Sequence, residues 1–239
     1  MTPCEHVAFA RLRLPNRSET LVALSKSQAR YRAIDLLSAS GRAKIGSGRA
    51  TNLHRLAVQL TLDPDVLSLE LVESLSVAGR DVEIGMLVAQ FKQTAVAYDI
   101  VDEREYRDLD SEGMLLIALD LHRIARVEVD ADTIQAEPRA TNSDRIWGHR
   151  GLDVGRSLRA DIETALSYQR MSIKELGSAI GLNNAFPVVC SLMCRRALVS
   201  DLSMKFGPDA LIALRGQCFA AAENRPTEFV KPPVAGAKR

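Results

Sequence analysis

Residues Leu62 to Asp102 read LDPDVLSLELVESLSVAGRDVEIGMLVAQFKQTAVAYDIVD, and this stretch decides the fold. Asp63-Pro64 ends a preceding helical pattern, because proline lacks a backbone donor and fixes its own φ. Three runs rich in β-branched residues follow, over 66–75, 77–88 and 95–101. Turn residues lie at Gly79-Arg80, near the start of the second run, and at Lys92-Gln93, between the second run and the third. The stretch therefore predicts a meander of strands.

A helix is predicted on each side of this meander. Before it, the segment 53–62 places Leu53, Leu56 and Leu60 on one apolar face, and Asn52 can cap the first turn. After it, residues 103–110 are polar and predict a loop. The run MLLIALDLHRIAR over 114–126 predicts a helix that continues into a strand. Together these elements predict an α/β domain.

A second unit is predicted from about Gly151. Its first helix is LRADIETALSYQR, and Ser172-Ile173-Lys174-Glu175 then forms a capping box. Gly181 ends the capped helix. Another helix from Ala185 and a strand near 197–203 complete the order helix, turn, helix, strand. This order is typical of a winged helix-turn-helix.

Charge is distributed unevenly along a chain whose net charge is +1. Residues 1–60 hold ten Lys/Arg and three Asp/Glu, residues 61–140 hold seven and eighteen, and residues 141–239 hold fourteen and nine. This pattern fits either an uneven solvated surface or basic ends that contact phosphates.

The residues that the second interpretation assigns to DNA fall into two groups. They are Arg11, Arg13, Arg30, Arg32, Arg42, Lys44 and Arg49 in the N-terminal segment, and Lys174, Arg195 and Arg196 in the helix-turn-helix region. The second helix of that region, AFPVVCSLM, is a poor base-reading surface, and only Asn183-Asn184 precede it as polar candidates. We therefore favour protein contacts or loose backbone binding over sequence-specific reading.

Cysteine and histidine usage gives no indication of a metal site. Cys4, Cys190, Cys194 and Cys218 contain no CxxC pair, and the four histidines are scattered. A structural zinc site needs four grouped ligands, so Cys190 and Cys194 are expected to be buried small hydrophobes. The sequence has no apolar run of membrane-span length and no signal-peptide core at its N-terminus. A cytoplasmic protein without a membrane partner is predicted.

Four parts of the chain are predicted from these patterns. Residues 1–50 form a basic N-terminal segment, 51–148 an α/β domain, 149–222 a winged-helix-like domain, and 223–239 a proline-containing disordered tail.

Several short motifs occur in a characteristic order. They are Pro64-Asp65-Val66, the turn at Gly79-Arg80, the strand Tyr98-Asp99-Ile100, and the run Ile134-Gln135-Ala136-Glu137-Pro138-Arg139, which continues to Asn142. Over roughly residues 50–214 this order resembles the TnsA-type endonuclease subunit of heteromeric transposases. The resemblance implies a restriction-endonuclease-like mixed sheet with flanking helices, followed by a small helical winged-helix-like domain. It also implies a role in DNA transposition, with DNA and a transposase subunit as partners.

The catalytic residues that the resemblance implies are missing. A helix glutamate is expected near Leu53, but no acid lies within 36–62. The family's strand aspartate falls at Gly85, and its acid-x-lysine pair falls at Asp99 and Val101. Phosphodiester hydrolysis of this kind needs a metal held by carboxylates and a cation that offsets developing charge. The sequence therefore predicts a degenerate nuclease site.

Three functions remain open from the sequence. The first is a DNA-binding or transposase-assembly subunit that does not cleave DNA and uses no cofactor. The second is an active endonuclease with a migrated site, in which Glu83 and Asp99 are the catalytic carboxylates and Asp99 ligates Mg²⁺. Glu83 enters because it lies two residues from Gly85, on the same side of a regular strand. The third is a winged-helix DNA-binding regulator unrelated to transposition.

Overall fold

The computed structural model describes residues 30–32 and 49–216, with side chains from Asn52 onward. The larger sheet contains β1 (Arg30–Arg32), β2 (Ser68–Val77), β3 (Arg80–Gln90), β4 (Ala95–Ile100) and β5 (Ile124–Val129). The strand order is β1-β2-β3-β4-β5, and all neighbours are antiparallel except β4 and β5, which are parallel. The fold is thus α/β with a mixed sheet.

The predicted meander is present, with its first turn one residue earlier than expected. Val77 pairs with Arg80, so the loop is Ala78-Gly79. Both loop residues have positive φ, 50° and 81°, as in the two-residue hairpin turns whose twist matches that of the strands. The register of β2 against β3 shifts further along, between Val72 and Ser74.

Each face of the sheet is covered by a helix. Helix α1 (Arg49–Leu62) packs through Leu56 and Leu60 against the face that carries Leu87 and Tyr98. Helix α2 (Leu109–Leu121) packs through its buried residues against the other face. We call these the α1 face and the α2 face. Residues on the α2 face include Val72, Leu75, Val82, Ile84, Met86, Val88, Ala95, Ala97 and Ile124.

The second half of the chain is mainly helical. Its helices are α3 (Ala131–Gln135), α4 (Arg139–Trp147), α5 (Arg156–Tyr168), α6 (Ile173–Ala179) and α7 (Phe186–Cys194). A small antiparallel sheet of β6 (Met171–Ser172), β7 (Leu198–Ser200) and β8 (Leu211–Leu214) has the order β6-β8-β7. The predicted capping box is confirmed: Ser172 Oγ accepts from the Glu175 backbone, and the Glu175 carboxylate accepts from the Ser172 backbone N–H.

The buried core continues across the predicted boundary between residues 148 and 149. One cluster contains Leu60 and Tyr98 of the first half together with Ile162 and Leu192 of the second. Helix α4 packs against both α1 and α7. The two predicted units therefore pack on each other through apolar side chains.

Several predictions concern residues outside the described ranges. These include Arg11, Arg13, Arg42, Lys44, the tail 223–239, Cys4 and Cys218. Within the described ranges, no helix is long and apolar enough to cross a membrane.

Candidate functional site

Asp99 is a buried carboxylate at the end of β4. It is 2% exposed and pairs in parallel register with Glu128 of β5. Alternation along the strand places Asp99 on the same face as Ala97, which belongs to the α2 face. Asp99 therefore lies near the N-terminal end of α2, where the polar segment 101–108 connects β4 to that helix.

Three arginines surround the Asp99 carboxylate. Arg126 Nη2 donates to Asp99 Oδ2 at 2.6 Å, Arg107 Nη1 at 3.0 Å and Arg104 Nη1 at 3.1 Å. Arg104 and Arg107 come from the segment after β4, and Arg126 comes from the neighbouring strand β5. A single oxygen of a buried acid thus accepts from three guanidinium groups.

Two further acids complete what we call the Asp99 cluster. Glu128 Oε1 accepts from Arg104 Nη1 at 2.6 Å and from Arg126 Nη2 at 2.8 Å. Glu112 Oε1 accepts from Arg126 Nη1, and Glu112 Oε2 lies 3.6 Å from Arg107 Nη1. The cluster consists of Asp99, Arg104, Arg107, Glu112, Arg126 and Glu128. Three formal negative and three formal positive charges balance within it, which lowers the cost of burying Asp99.

The pKa of Asp99 is held below its ordinary value. Burial of the carboxyl raises the pKa, because it disfavours the charged form, but hydrogen bonds from Arg107, Arg104 and Arg126 outweigh burial. The carboxylate is therefore ionised at neutral pH, and the hydrogen bonds from the arginines stabilise its charged form.

The Asp99 cluster does not fit a magnesium site. Magnesium requires hard oxygen ligands in near-octahedral arrangement and keeps several waters. A cation at Asp99 Oδ2 would have to displace guanidinium groups that lie 2.6–3.1 Å away and repel it. Among the residues with described side chains, no group of three or more His, Cys, Asp or Glu is placed to hold a metal ion. The arrangement suits a structural ion-pair cluster.

Glu83 and Asp99 are not brought together. Val82 pairs with Leu75 and packs against the α2 face, so its neighbour Glu83 points to the opposite face and is exposed. Strand β3 pairs with β4 only over Leu87 to Gln90, so Glu83 lies four residues outside the paired stretch. The geometry therefore opposes a migrated site built on these two carboxylates.

The other positions that the resemblance assigned to catalysis have structural explanations. Gly85 has φ of 55°, and it occupies the irregular stretch of β3 where the register shifts. A side chain there would strain the backbone, so glycine suits the position better than aspartate.

Leu53 packs in part against the cluster on the α1 face. A carboxylate on α1 would thus face away from Asp99. Val101 donates its N–H to Val129 O at 3.0 Å, continuing the β4–β5 pairing.

The predicted DNA-binding residues with described positions are dispersed. Arg30 and Arg32 lie in the edge strand β1, and Arg49 begins α1. Lys174 is exposed on α6. Arg195 is 42% exposed and donates to Leu152 O at 3.0 Å and to Asp153 Oδ1 at 3.3 Å. The predicted residues with described positions therefore lie on β1, α1, α6 and the segment after α7.

Arg196 is directed into the protein, contrary to the prediction that it contacts phosphate. Its Nη1 donates to Leu67 O at 2.8 Å, and its Nε and Nη2 are buried. Burial and the nearby Arg215 lower its pKa to about 10, whereas Asp63 opposes the shift. Arg215 Nη2 donates to Pro64 O at 2.9 Å and to Val66 O at 2.7 Å. Both arginines join the second half of the chain to the segment before β2.

Helix α7, which the sequence pattern predicts as the second helix of a helix-turn-helix, is largely covered. Val189, Cys190, Ser191, Leu192 and Met193 are buried. Phe186 at its start contacts His149 edge to face with ring centroids 5.8 Å apart, and the Arg145 guanidinium lies 4.3 Å from the Phe186 centroid. Helix α4 and the segment after it therefore cover much of α7, whereas Phe186, Pro187 and Val188 at its start are only partly buried.

A cleft of about 500 Å³ lies between α6 and α7. Lys174, Ser178, Asn183 and Asn184 provide polar groups on its wall, and Phe186 and Pro208 provide apolar ones. Asn183 and Asn184 are exposed, as a base or backbone contact would require. The cleft is therefore an accessible part of the predicted helix-turn-helix region.

Sequence reasoning missed the three arginines around Asp99. Arg104 and Arg107 lie in a run of alternating charge, EREYRD over 103–108, whose polarity predicts a loop but not its contacts. Arg126 alternates with Glu128 along a predicted strand, a pattern that indicates charged side chains on one face of that strand. Its contact with Asp99 depends on the parallel pairing of β4 and β5.

Comparisons with models of known protein families and with curated proteins find no match to this chain.

The thiols of Cys190 and Cys194 are expected to be unreactive in the folded protein. Burial raises the pKa of each to about 12, so only about one thiol in ten thousand is ionised at pH 8. Iodoacetamide treatment followed by peptide mass mapping should label both cysteines only in denaturant. Rapid labelling of either one in the native protein would contradict this expectation.

Proposed function

We propose that this chain is a TnsA-like subunit that acts in DNA transposition as a DNA-binding or transposase-assembly component and does not cleave DNA. The observation that carries the proposal is the environment of Asp99. At the strand position where the resemblance implies a metal ligand, the carboxylate accepts hydrogen bonds from three arginines. We expect a non-cleaving relative of a nuclease to keep the fold and to lack a carboxylate that is free to bind a metal at this position.

The order of elements supports the nuclease-like part of the proposal. Helix α1, the antiparallel strands β2, β3 and β4, helix α2 and the parallel strand β5 follow one another in the chain. This arrangement is compatible with the restriction-endonuclease-like mixed sheet that the resemblance implies. The later order α5-β6-α6-α7-β7-β8, with sheet order β6-β8-β7, is compatible with a winged-helix-like domain.

An assembly role is favoured over base reading. Helix α7 is largely buried, and Arg196 is used inside the protein. Specific base recognition requires polar side chains on an element that fits into a groove. Contacts with a partner protein, or loose contacts with the DNA backbone, demand no such exposed helix.

We expect the full chain not to cut supercoiled plasmid DNA with Mg²⁺ or Mn²⁺. The reason is that Glu83 and Asp99 lie on opposite faces and Asp99 is held by arginines. Agarose gels read the conversion of supercoiled to nicked and linear DNA, with a restriction enzyme in the same buffers as the positive control. Robust cutting that is lost in Asp99→Ala or Glu83→Gln would sink the proposal, provided that circular dichroism shows each variant folded at the assay temperature.

The assembly role has its own test. If the neighbouring reading frame encodes an integrase-type transposase, its product should co-elute with this chain in size-exclusion chromatography, alone or with DNA. A neighbour with no link to DNA transactions, or a transposase that never co-elutes, would contradict the role.

The winged-helix regulator remains a second candidate because the cleft between α6 and α7 exposes Lys174, Asn183 and Asn184. Gel shifts with the full chain at low and high salt distinguish the two functions. Tight binding to one DNA sequence that persists at high salt and is lost in Asn184→Ala would favour the regulator. Weak binding that disappears at high salt and ignores sequence fits the subunit.

A further inference from the structure

Helix α2 exposes an unusually apolar surface for a helix that covers a sheet. Leu115, Ala118 and Leu119 are buried against the α2 face. The opposite side of the helix carries large apolar residues that remain exposed. They are Leu109 at 92%, Leu121 at 51%, Leu116 and Ile117 at 50%, and Met114 at 37%.

These residues form two adjacent ridges along the helix. Leu109, Gly113 and Leu116 follow one ridge, and Met114, Ile117 and Leu121 follow the other, at the spacings that place side chains on one helical face. Together they define what we call the α2 ridge. Contiguous apolar surface of this kind on a soluble protein marks an interaction site more often than isolated exposed residues do.

Gly113 lies in the middle of the α2 ridge. A Cβ at this position would meet nothing within 4 Å, so the fold itself does not require glycine there. Glycine inside a helix is also destabilising relative to other residues. A partner helix that packs closely against the ridge gives this residue a use, because a small side chain lets two helices approach.

The charge around the α2 ridge identifies the chemistry of the partner. Residues 101–122 contain seven Asp/Glu and two Lys/Arg. The two cations are Arg104 and Arg107, and both are paired within the Asp99 cluster. Asp110 and Asp120 are exposed at the ends of the two ridges, because Asp110 lies four residues before Met114 and Asp120 lies four residues after Leu116. Arg123 is exposed just beyond the helix. A basic partner is attracted to this surface, and a second copy of the same acidic surface is repelled.

We propose that the α2 ridge is the docking site for an amphipathic helix of a partner protein, with an apolar stripe flanked by lysine or arginine. The partner helix would lay its stripe along α2 beside Gly113 and place its cations next to Asp110 and Asp120. This mode of recognition is that of a helix packed on a complementary apolar surface. The docking site does not depend on the proposed role in transposition.

The test uses two synthetic peptides of about 18 residues that share one leucine stripe and differ only in lysine or glutamate flanks. Binding to the full chain is followed by fluorescence anisotropy of a labelled peptide. We expect the lysine peptide to bind about tenfold more tightly than the glutamate peptide. Equal binding of the two peptides, or no binding of either, would overturn the proposal.

A double substitution, Leu116→Glu with Ile117→Glu, separates docking from simple charge attraction. Both residues are half exposed, so the fold tolerates the change. The variant adds negative charge, and a purely electrostatic association would therefore tighten. Docking predicts a loss of about tenfold in affinity. The matched control is Tyr168→Glu, which changes a residue 85% exposed at the end of α5 and should leave affinity unchanged.

Gly113→Gln provides a second check. Because the position is open and helical, the substitution should raise the melting temperature, whereas a longer side chain on the ridge should weaken binding of the lysine peptide. Unchanged affinity in this variant would contradict close packing beside Gly113.

Analytical ultracentrifugation tests whether a second copy of the chain binds the α2 ridge instead. If the wild type self-associates and the variant with Leu116→Glu and Ile117→Glu does not, the ridge binds a second copy, and the proposed partner is overturned.

Discussion

Replacement of Asp99 by asparagine is expected to lower the free energy of unfolding by about 3–5 kcal/mol, because it leaves partly buried arginines without their central counter-charge. Arg126 and Arg107 have side chains only 12% and 19% exposed, so solvent cannot replace the lost carboxylate. Urea unfolding followed by circular dichroism measures the change. Asp161→Asn on α5 is the matched control, since Asp161 is exposed, and it should change stability by less than about 0.5 kcal/mol.

The Asp99 variant should also respond differently to acid. The lowered pKa means that Asp99 contributes stability above its unfolded pKa of about 3.9, and this contribution is lost as the pH falls through the lower folded pKa. The wild-type protein should therefore lose more stability than Asp99→Asn between about pH 5 and about pH 3. Parallel pH dependences would show that the carboxylate is not held by the arginines.

Replacement of Asn142 by alanine is expected to cost about 2–4 kcal/mol, because it leaves the buried Phe206 N–H and two partly buried carbonyls without their hydrogen-bond partner. Asn142 is 4% exposed, and its Nδ2 donates to Leu202 O at 3.0 Å and to Met204 O at 2.8 Å. Its Oδ1 accepts from the Phe206 backbone N–H at 3.1 Å. One side chain of α4 thus fixes the loop between β7 and β8.

Hydrogen exchange gives a local reading of the Asn142 effect. The Phe206 amide should exchange much faster in Asn142→Ala, and urea unfolding should report the loss of stability. Asn184→Ala is the control, because Asn184 is exposed in the cleft. A stability change in Asn142→Ala no larger than that of the control would contradict the role given to this side chain.

The strands and helices could be read largely from sequence, because their signals are local. Alternating β-branched residues and the glycine of the first turn predicted the meander that the structure contains. The capping box at Ser172 and Glu175 predicted the start of α6. The turn at Ala78-Gly79 was misplaced by one residue, since its position depends on which residues pair across the hairpin.

The character of the site could not be read locally. Arg126 reaches Asp99 only because β5 lies parallel to β4, and Asn142 meets residues 60 or more positions away. The irregular register near Gly85 depends on β2 as well as β3. The apolar sequence of α7 predicts that Cys190 and Cys194 are buried, but it does not indicate that α4 is the helix that packs over α7.

Binding of Mn²⁺ to the full chain, measured by isothermal titration calorimetry, tests most directly whether Asp99 belongs to a structural cluster or to a metal site. The arginine-held carboxylate predicts no site tighter than about 1 mM, and no difference between the wild type and Asp99→Asn under conditions in which both are folded. A stoichiometric Mn²⁺ site in the wild-type protein that disappears in folded Asp99→Asn would contradict the account and return Asp99 to metal-dependent chemistry.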